Sequence, residues 1–207
     1  MENKKYLQIM SSTKIYGLVL TGGKSTRMGT DKGLIEYHGI AQREYLYQLL
    51  QRVCDNTYMS IREEQASEFS VNHNLIVDQN KFKGPYNGLL SAHYFNPNVA
   101  WLVLACDLPL MDEDALEQLI NLRNPNKMAT AFATRESGLP EPLCAIWEPA
   151  GLKKSLDYLE NGPGTCPRKF LINEDIKLVF PENEEVLWNA NFKEDYEKVL
   201  LKLSPNE

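Results

Sequence analysis

Histidine is scarce in this chain of 207 residues, and His38, His73 and His93 stand apart without the spacing of metal ligands. That leaves little for a hydrolase run by a histidine base, and no role is assigned to any of the three. The four cysteines, Cys54, Cys106, Cys144 and Cys166, are far from one another and form no C-x-x-C pair. They read as reduced structural thiols of a cytoplasmic protein, with neither a disulfide frame nor a zinc site. No stretch approaches the roughly 18 apolar residues of a membrane span, and Met1 to Lys14 is polar, without the apolar core of a signal peptide. Positive charge is in the minority, 22 Lys and Arg against 28 Asp and Glu, for a net charge of -6. A general binder of nucleic acid or of membrane surfaces needs a basic face, so neither is expected, and an anionic ligand must be held by a local cluster. Repeats, low-complexity tracts and a clear linker are also missing. Residues 1–207 therefore read as a single domain, with 1–13 as a flexible or peripheral extension. A chain this long buries roughly 70% of its unfolded surface, and 43% apolar with 24% charged residues is ordinary for a globular protein.

The most informative segment is Leu20-Thr21-Gly22-Gly23-Lys24-Ser25-Thr26-Arg27-Met28-Gly29-Thr30-Asp31-Lys32, entered from the apolar run Ile15 to Leu20. A short Ile/Val/Leu run ended by a glycine pair reads as a buried strand opening into a turn, and the C-terminal edge of such strands is where open α/β sheets bind ligands. Paired glycines let backbone N–H groups approach a ligand, and Lys24, Arg27 and Lys32 add cations, which is chemistry for polyphosphate. A Walker loop is excluded by register: its first glycine falls on Leu18, with Gly17 one residue out. The plain alternative, a tight turn with solvated Lys and Arg, suits a lone Gly-Gly turn better than this longer constellation.

Along the rest of the chain, Thr57 to Ile61, Leu75 to Val77, Trp101 to Ala105, Met128 to Ala133, Leu143 to Trp147 and Ile176 to Phe180 read as strands. Helical patterns fall between them: the Tyr45 to Val53 region, a helix starting near Tyr86, Asp112 to Leu122 with an acidic first turn, Leu152 to Leu159, and Phe192 to Leu203. Strands spaced by helices in this order imply a doubly wound, mostly parallel α/β sheet with helices on both faces, a Rossmann-like arrangement.

Asp107, just past the apolar strand and followed by Leu108-Pro109, would share the sheet edge with the glycine loop. A hard cation such as Mg2+ takes oxygens from one or two carboxylates plus substrate phosphates; the plainer reading is that Asp107 caps a turn. Asp78 ends another strand before Gly84-Pro85-Tyr86-Asn87-Gly88, where it can accept hydrogen bonds from a base or ribose, or stand as an acidic turn before a helix. Asn189-Ala190-Asn191 either caps the last helix or reaches a metal or phosphate. Gly162-Pro163-Gly164-Thr165-Cys166-Pro167-Arg168-Lys169 is a further turn-rich segment with adjacent cations, either an anchor for a second anion or a solvated loop.

Taken together, L-T-G-G-K-S-x-R-M-G-x-D-K, G-P-x-x-G-L, C-D-x-P and N-x-N before an acidic helix resemble the molybdenum cofactor guanylyltransferases, a group within the nucleotidyltransferases that make activated sugars. The resemblance runs from about Lys14 to Tyr196. It implies a nucleotidyltransferase fold that transfers GMP from MgGTP to molybdopterin, with transient contact to other molybdenum cofactor proteins. By motif match Leu20, Thr21, Gly22 and Gly23 lie along the nucleotide, Lys32 and Arg27 serve the phosphates and the transfer, Asp78 meets the guanosine part, and Asp107 binds Mg2+. Arg168, Lys169, Asn189 and Asn191 are then the candidates for holding the acceptor. Two positions depart from the pattern: Ile40-Ala41 stands where such proteins carry Pro after the glycine, and Ser60-Ile61-Arg62 where they place an Asn near the nucleotide. The competing readings are transfer of CMP or of a nucleotide to a sugar phosphate, and a non-catalytic nucleotide-binding module.

Overall fold

Leu18 and Val19 are both fully buried yet belong to different hydrophobic clusters, as do Trp101 and Leu102, and Val103 and Leu104. Side chains of a strand alternate between the two faces of its sheet, so these pairs require cover on both sides. The computed structural model describes residues 13–22, 31–161 and 164–204. Its strands are β1 (Ile15–Leu20), β2 (Asn56–Ile61), β3 (Leu75–Val77), β4 (Ala100–Ala105), β5 (Ala129–Ala133), β6 (Pro140–Trp147) and β7 (Lys177–Val179). They form one sheet in the order β3-β2-β1-β4-β6-β5-β7.

The helices are α1 (Gln42–Val53), α2 (Tyr86–Phe95), α3 (Glu113–Asn121), α4 (Pro149–Asn161), α5 (Pro167–Ile172) and α6 (Lys193–Leu203). On one face α1 and α3 close over Val19, Met59, Leu102 and Leu104, while on the other α2, α4 and α5 close over Leu18, Trp101, Val103 and Trp147. The doubly wound arrangement expected from the alternation is thus present. Asp112 caps α3 by accepting from the Ala115 N–H at 2.9 Å, with Glu113 and Asp114 in the first turn, as the dipole favours. Ala41 gives α1 no side-chain cap; its first residue, Gln42, donates instead to the Leu108 carbonyl at 3.1 Å and ties the helix start to the exit of β4.

All pairings are parallel except those of β6, which runs antiparallel to both β4 and β5. Only residues 134–139 separate β5 from β6. A parallel crossover takes about a dozen residues or more, so this link can only turn the chain back on itself. One element was read differently from the sequence: the segment around Arg168, expected as a loop, contains α5, which starts with Pro167 at its first position. Among the described residues no helix is long and apolar enough to cross a membrane.

Candidate active site

From β1 the chain works outward through β2 and β3 on one side, then returns to place β4 on the other side of β1. Such a reversal leaves a crevice at the C-terminal ends of the two central strands. Leu20 pairs with Ala105, so Thr21-Gly22 and Cys106-Asp107 leave the sheet side by side. The Cys106 thiol donates to the Leu20 carbonyl at 3.4 Å and links the two exits; burial pushes its pKa up, which suits a structural thiol and not a nucleophile. A cavity of about 630 Å3 opens here, walled by Leu20, Gly22, Lys32, Arg62, Asp78 and Asp107 among others. That volume is within the usual range for small-molecule sites, about 300–1,000 Å3.

At one end of the cavity stand Lys32, Asp107 and Asn191. Asp31 sets the start of a short 3-10 turn, Lys32–Leu34, by accepting from the Gly33 N–H at 2.9 Å. The Lys32 ammonium donates to Asn191 Oδ1 at 2.7 Å and lies 3.7 Å from Asp107 Oδ2. Asn191 is brought there by the entry to α6, where Asp195 accepts the backbone N–H groups of Phe192 and Asn191, each at 2.9 Å. Those two bonds hold the Asp195 carboxyl below the ordinary carboxylate range. The Ala190 N–H donates to the Asp107 carbonyl at 2.9 Å and stitches the C-terminal segment to the exit of β4. Burial pushes the Asp107 carboxyl up, against the pull of Lys32.

The other end is built from the exits of β2 and β3. The Ser60 hydroxyl donates to Asp78 Oδ1, and Asp78 itself is 8% exposed. Burial raises the Asp78 pKa, opposed by the hydrogen bonds of Ser60 and Asn87 and by the Arg62 charge. Arg62 donates from Nη1 to the Gly22 carbonyl at 2.6 Å and from Nε to Glu64 at 2.8 Å. Beneath both ends lies Gln65, fully buried: its amide nitrogen approaches the Thr21 carbonyl at 3.4 Å and Asp31 at 3.3 Å, while its oxygen accepts the Arg62 N–H at 3.0 Å. Gln65 was not singled out from the sequence, and Ser60 and Arg62 were noted only as a departure from the family pattern near the nucleotide, although the C-terminal end of any strand beside β1 is a candidate position in such a sheet.

A second cavity, about 250 Å3, adjoins the first and shares Asp107 and Asn191 with it; Asn189, Glu141 and Arg168 are among its other walls. Arg168 donates from Nη2 to both carboxylate oxygens of Glu141, at 2.8 and 2.6 Å, and from Nε to the Pro140 carbonyl at 3.1 Å. Arg168 and Lys169, expected as an adjacent pair, are set differently toward this cavity. Consecutive residues of a helix do not face the same way, and Lys169 is exposed and walls neither cavity. Asn191, read as either cap or ligand contact, is not the side-chain cap of α6, a task that falls to Asp195; Asn189 donates to the Leu187 carbonyl at 3.1 Å. Gly23, Arg27 and Gly162 lie outside the described residues.

The sequence model of the MobA-like NTP transferase domain matches residues 17–175. A molybdenum cofactor biosynthesis bifunctional protein of Synechocystis sp. is 37% identical over 191 residues, 92% of this chain and 55% of that protein, so the chain spans about half the length of that relative. The molybdenum cofactor guanylyltransferase of Pseudomonas putida is 28% identical over 183 residues, 86% of this chain and 93% of that one. The crystal structure of molybdopterin-guanine dinucleotide biosynthesis protein A from Archaeoglobus fulgidus is similar with a TM-score of 0.74 at 19% identity, covering 90% of this chain and 97% of the other, a likeness of fold. The sheet and its crevice are those of an α/β nucleotidyltransferase domain. With most of its length matched, the chain belongs to the MobA-like NTP transferase family.

Proposed function

We propose that this chain transfers GMP from MgGTP to the terminal phosphate of molybdopterin, releasing pyrophosphate and forming the guanine dinucleotide form of the cofactor. The observation that carries the reading is the meeting of Lys32, Asp107 and Asn191 where a nucleotide-sized cavity joins a smaller one. The names of the Pseudomonas and Archaeoglobus relatives support the choice of nucleotide and acceptor. In this reading the base and ribose lie toward Asp78, the triphosphate runs along Thr21 and Gly22 toward Lys32, with Gly23 and Arg27 added by the motif match alone, and the acceptor enters past Asn189 and Arg168.

The donor set fits Mg2+. Asp107 opens onto the cavity, and among the described residues no group of three or more His, Cys, Asp or Glu could hold a metal ion alone. A single protein carboxylate with phosphate oxygens and water completing the shell is how Mg2+ is commonly held. When bound at Asp107 it would neutralise phosphate charge and polarise the phosphoryl oxygens.

A phosphate monoester has its second pKa near about 6, so at neutral pH the acceptor oxygen is largely ionised and needs no general base. That oxygen forms the new bond to the α-phosphorus, the bond from the α-phosphorus to the bridging oxygen breaks, and pyrophosphate leaves with the electron pair. What the protein must supply is position and positive charge. Lys32 supplies charge, with Asn191 fixing its ammonium and leaving other N–H donors for phosphate oxygens. Asp107 keeps Lys32 near the reaction centre and would be the residue that holds the metal.

Incubating the protein with Mg2+, each of the four nucleoside triphosphates in turn, and molybdopterin, and measuring pyrophosphate release, tests this directly. Release is expected with GTP and only when molybdopterin is present. Release with CTP, or with a sugar phosphate as acceptor, replaces the proposal with one of the related transferases; binding without release under every combination makes the chain a nucleotide-binding module.

A further inference from the structure

Ser60-Ile61-Arg62 forms the exit of β2, and the structure divides those residues sharply. Ile61 is fully buried in the cluster on the α1 face and is not available to a ligand. Arg62, the next residue, leaves β2 with an extended backbone and walls the larger cavity. Its Nη1 donates to the Gly22 carbonyl and its Nε to Glu64, which fixes the guanidinium plane and leaves further N–H groups with no acceptor among the described residues. Across Gly22 stands Asp78, with Oδ1 engaged by Ser60. A Cβ placed on Gly22 would be 2.9 Å from Asp78 Oδ2 and 3.6 Å from Arg62 Cγ, so an acceptor and the stem of a donor flank one backbone position.

We propose that Arg62 is a specificity-determining residue of the nucleotide site, donating to the O6 oxygen of guanine while Asp78 accepts from the N1–H and N2–H groups beside it. The inference rests on the guanylyl reading above. Guanine presents one acceptor followed by two adjacent donors, and a carboxylate can take both donors at once. No other common base offers two adjacent donors on that edge. Because Asp78 is nearly buried, a base lacking them leaves its carboxylate without compensation, and a site built from fixed polar groups discriminates mainly through such unpaired groups. A planar guanidinium already held in place loses little freedom on meeting the base, which makes Arg better suited than Lys to this task. Hydrogen bonds to charged groups make the expected discrimination about tenfold to a hundredfold per contact.

The alternative is that Arg62 only braces the loop through Gly22, and nucleotide analogues separate the two. Calorimetric titration of the whole protein with GTP and with 6-thioguanosine triphosphate, which keeps both N–H donors but replaces O6 by a poor acceptor, should give about tenfold weaker binding of the thio analogue to the wild type. In Arg62→Ala, GTP affinity should fall to the level of the analogue and the ratio between the two should approach one. Arg62→Met, close in volume and without donors, carries the same expectation and replaces the Ala variant should that one not fold, as judged by its thermal transition. A ratio of one in the wild type, or equal losses for both nucleotides in the variant with the ratio intact, overturns the assignment and leaves Arg62 a brace. A wild type that binds CTP more tightly than GTP overturns the guanylyl reading itself, an outcome distinct from either of these.

Discussion

Gly88→Ala tests whether the helix that closes one side of the cavity stands as near the sheet as described. Gly88 lies in the first turn of α2, and a Cβ there would meet Leu20 Cδ2 at 2.8 Å and press on the hydroxyl and, at 3.2 Å, the Cβ of Ser60. Ser60 has little room to move, being 1% exposed and paired to Asp78, so the strain falls on it more than on the part-buried Leu20 side chain, which borders the cavity. Overpacking of this kind costs about 1–3 kcal/mol, and the better helix propensity of Ala returns up to about 1 kcal/mol. A net loss of about 1–2 kcal/mol corresponds to a fall in Tm of about 2–8 °C for a chain of this size. Pushing Ser60 aside also weakens its bond to Asp78, so GTP affinity should drop by about tenfold. Thermal unfolding followed by circular dichroism and a nucleotide titration measure the two effects. The cost of Ser60→Ala should be smaller in the Gly88→Ala background than in the wild type, since both changes act on one contact. An unchanged or higher Tm together with wild-type GTP affinity would refute the packing and, with it, the coupling of α2 to the site.

Asp107→Asn keeps shape and removes charge, so pyrophosphate release should fall by about a hundredfold or more while the thermal transition survives; near-normal turnover with the same Mg2+ requirement rejects the metal role. Arg168→Ala should raise the apparent KM for the acceptor and leave GTP affinity alone, whereas Lys169→Ala should change neither, because only Arg168 walls the smaller cavity; unchanged acceptor saturation in Arg168→Ala removes that residue from the site. Burial raises the Asp78 pKa above the ordinary 3.8, so as pH falls its carboxylate is lost earlier than an exposed one, and GTP binding should weaken in the window extending upward from that value. The sign for folding is opposite: the native state holds this proton more tightly than the unfolded chain, so Asp78 favours folding as pH falls through its raised pKa and costs stability above it. Asp78→Asn should therefore flatten the acid limb of GTP binding, and an unchanged limb assigns it to another group.

Strands could be placed from local pattern because continuous Ile, Val and Leu runs such as Ile15 to Leu20 and Trp101 to Ala105 are what a sheet buried on both faces demands. The helix α5 was missed because Gly162 to Pro167 is rich in turn residues and the six-residue helix behind it is too short for a periodic signal. Glu141 was missed for a different reason: its importance lies in facing Arg168 across 27 positions of sequence, which no local pattern encodes.

The sequence by itself settled the sheet class, since hydrophobic period is a short-range property, readable within a dozen or so residues. Tertiary structure alone decided which distant groups meet. The Lys32 ammonium reaches Asn191 across 159 positions where the Ala190 N–H binds the Asp107 carbonyl at the end of β4 and Asp195 holds the entry to α6. The antiparallel β6 between β4 and β5 likewise places Glu141 and Arg168 beside the second cavity. Such meetings depend on strand order and on burial, which sum contributions from the whole chain, and so they stay hidden until the sheet is assembled.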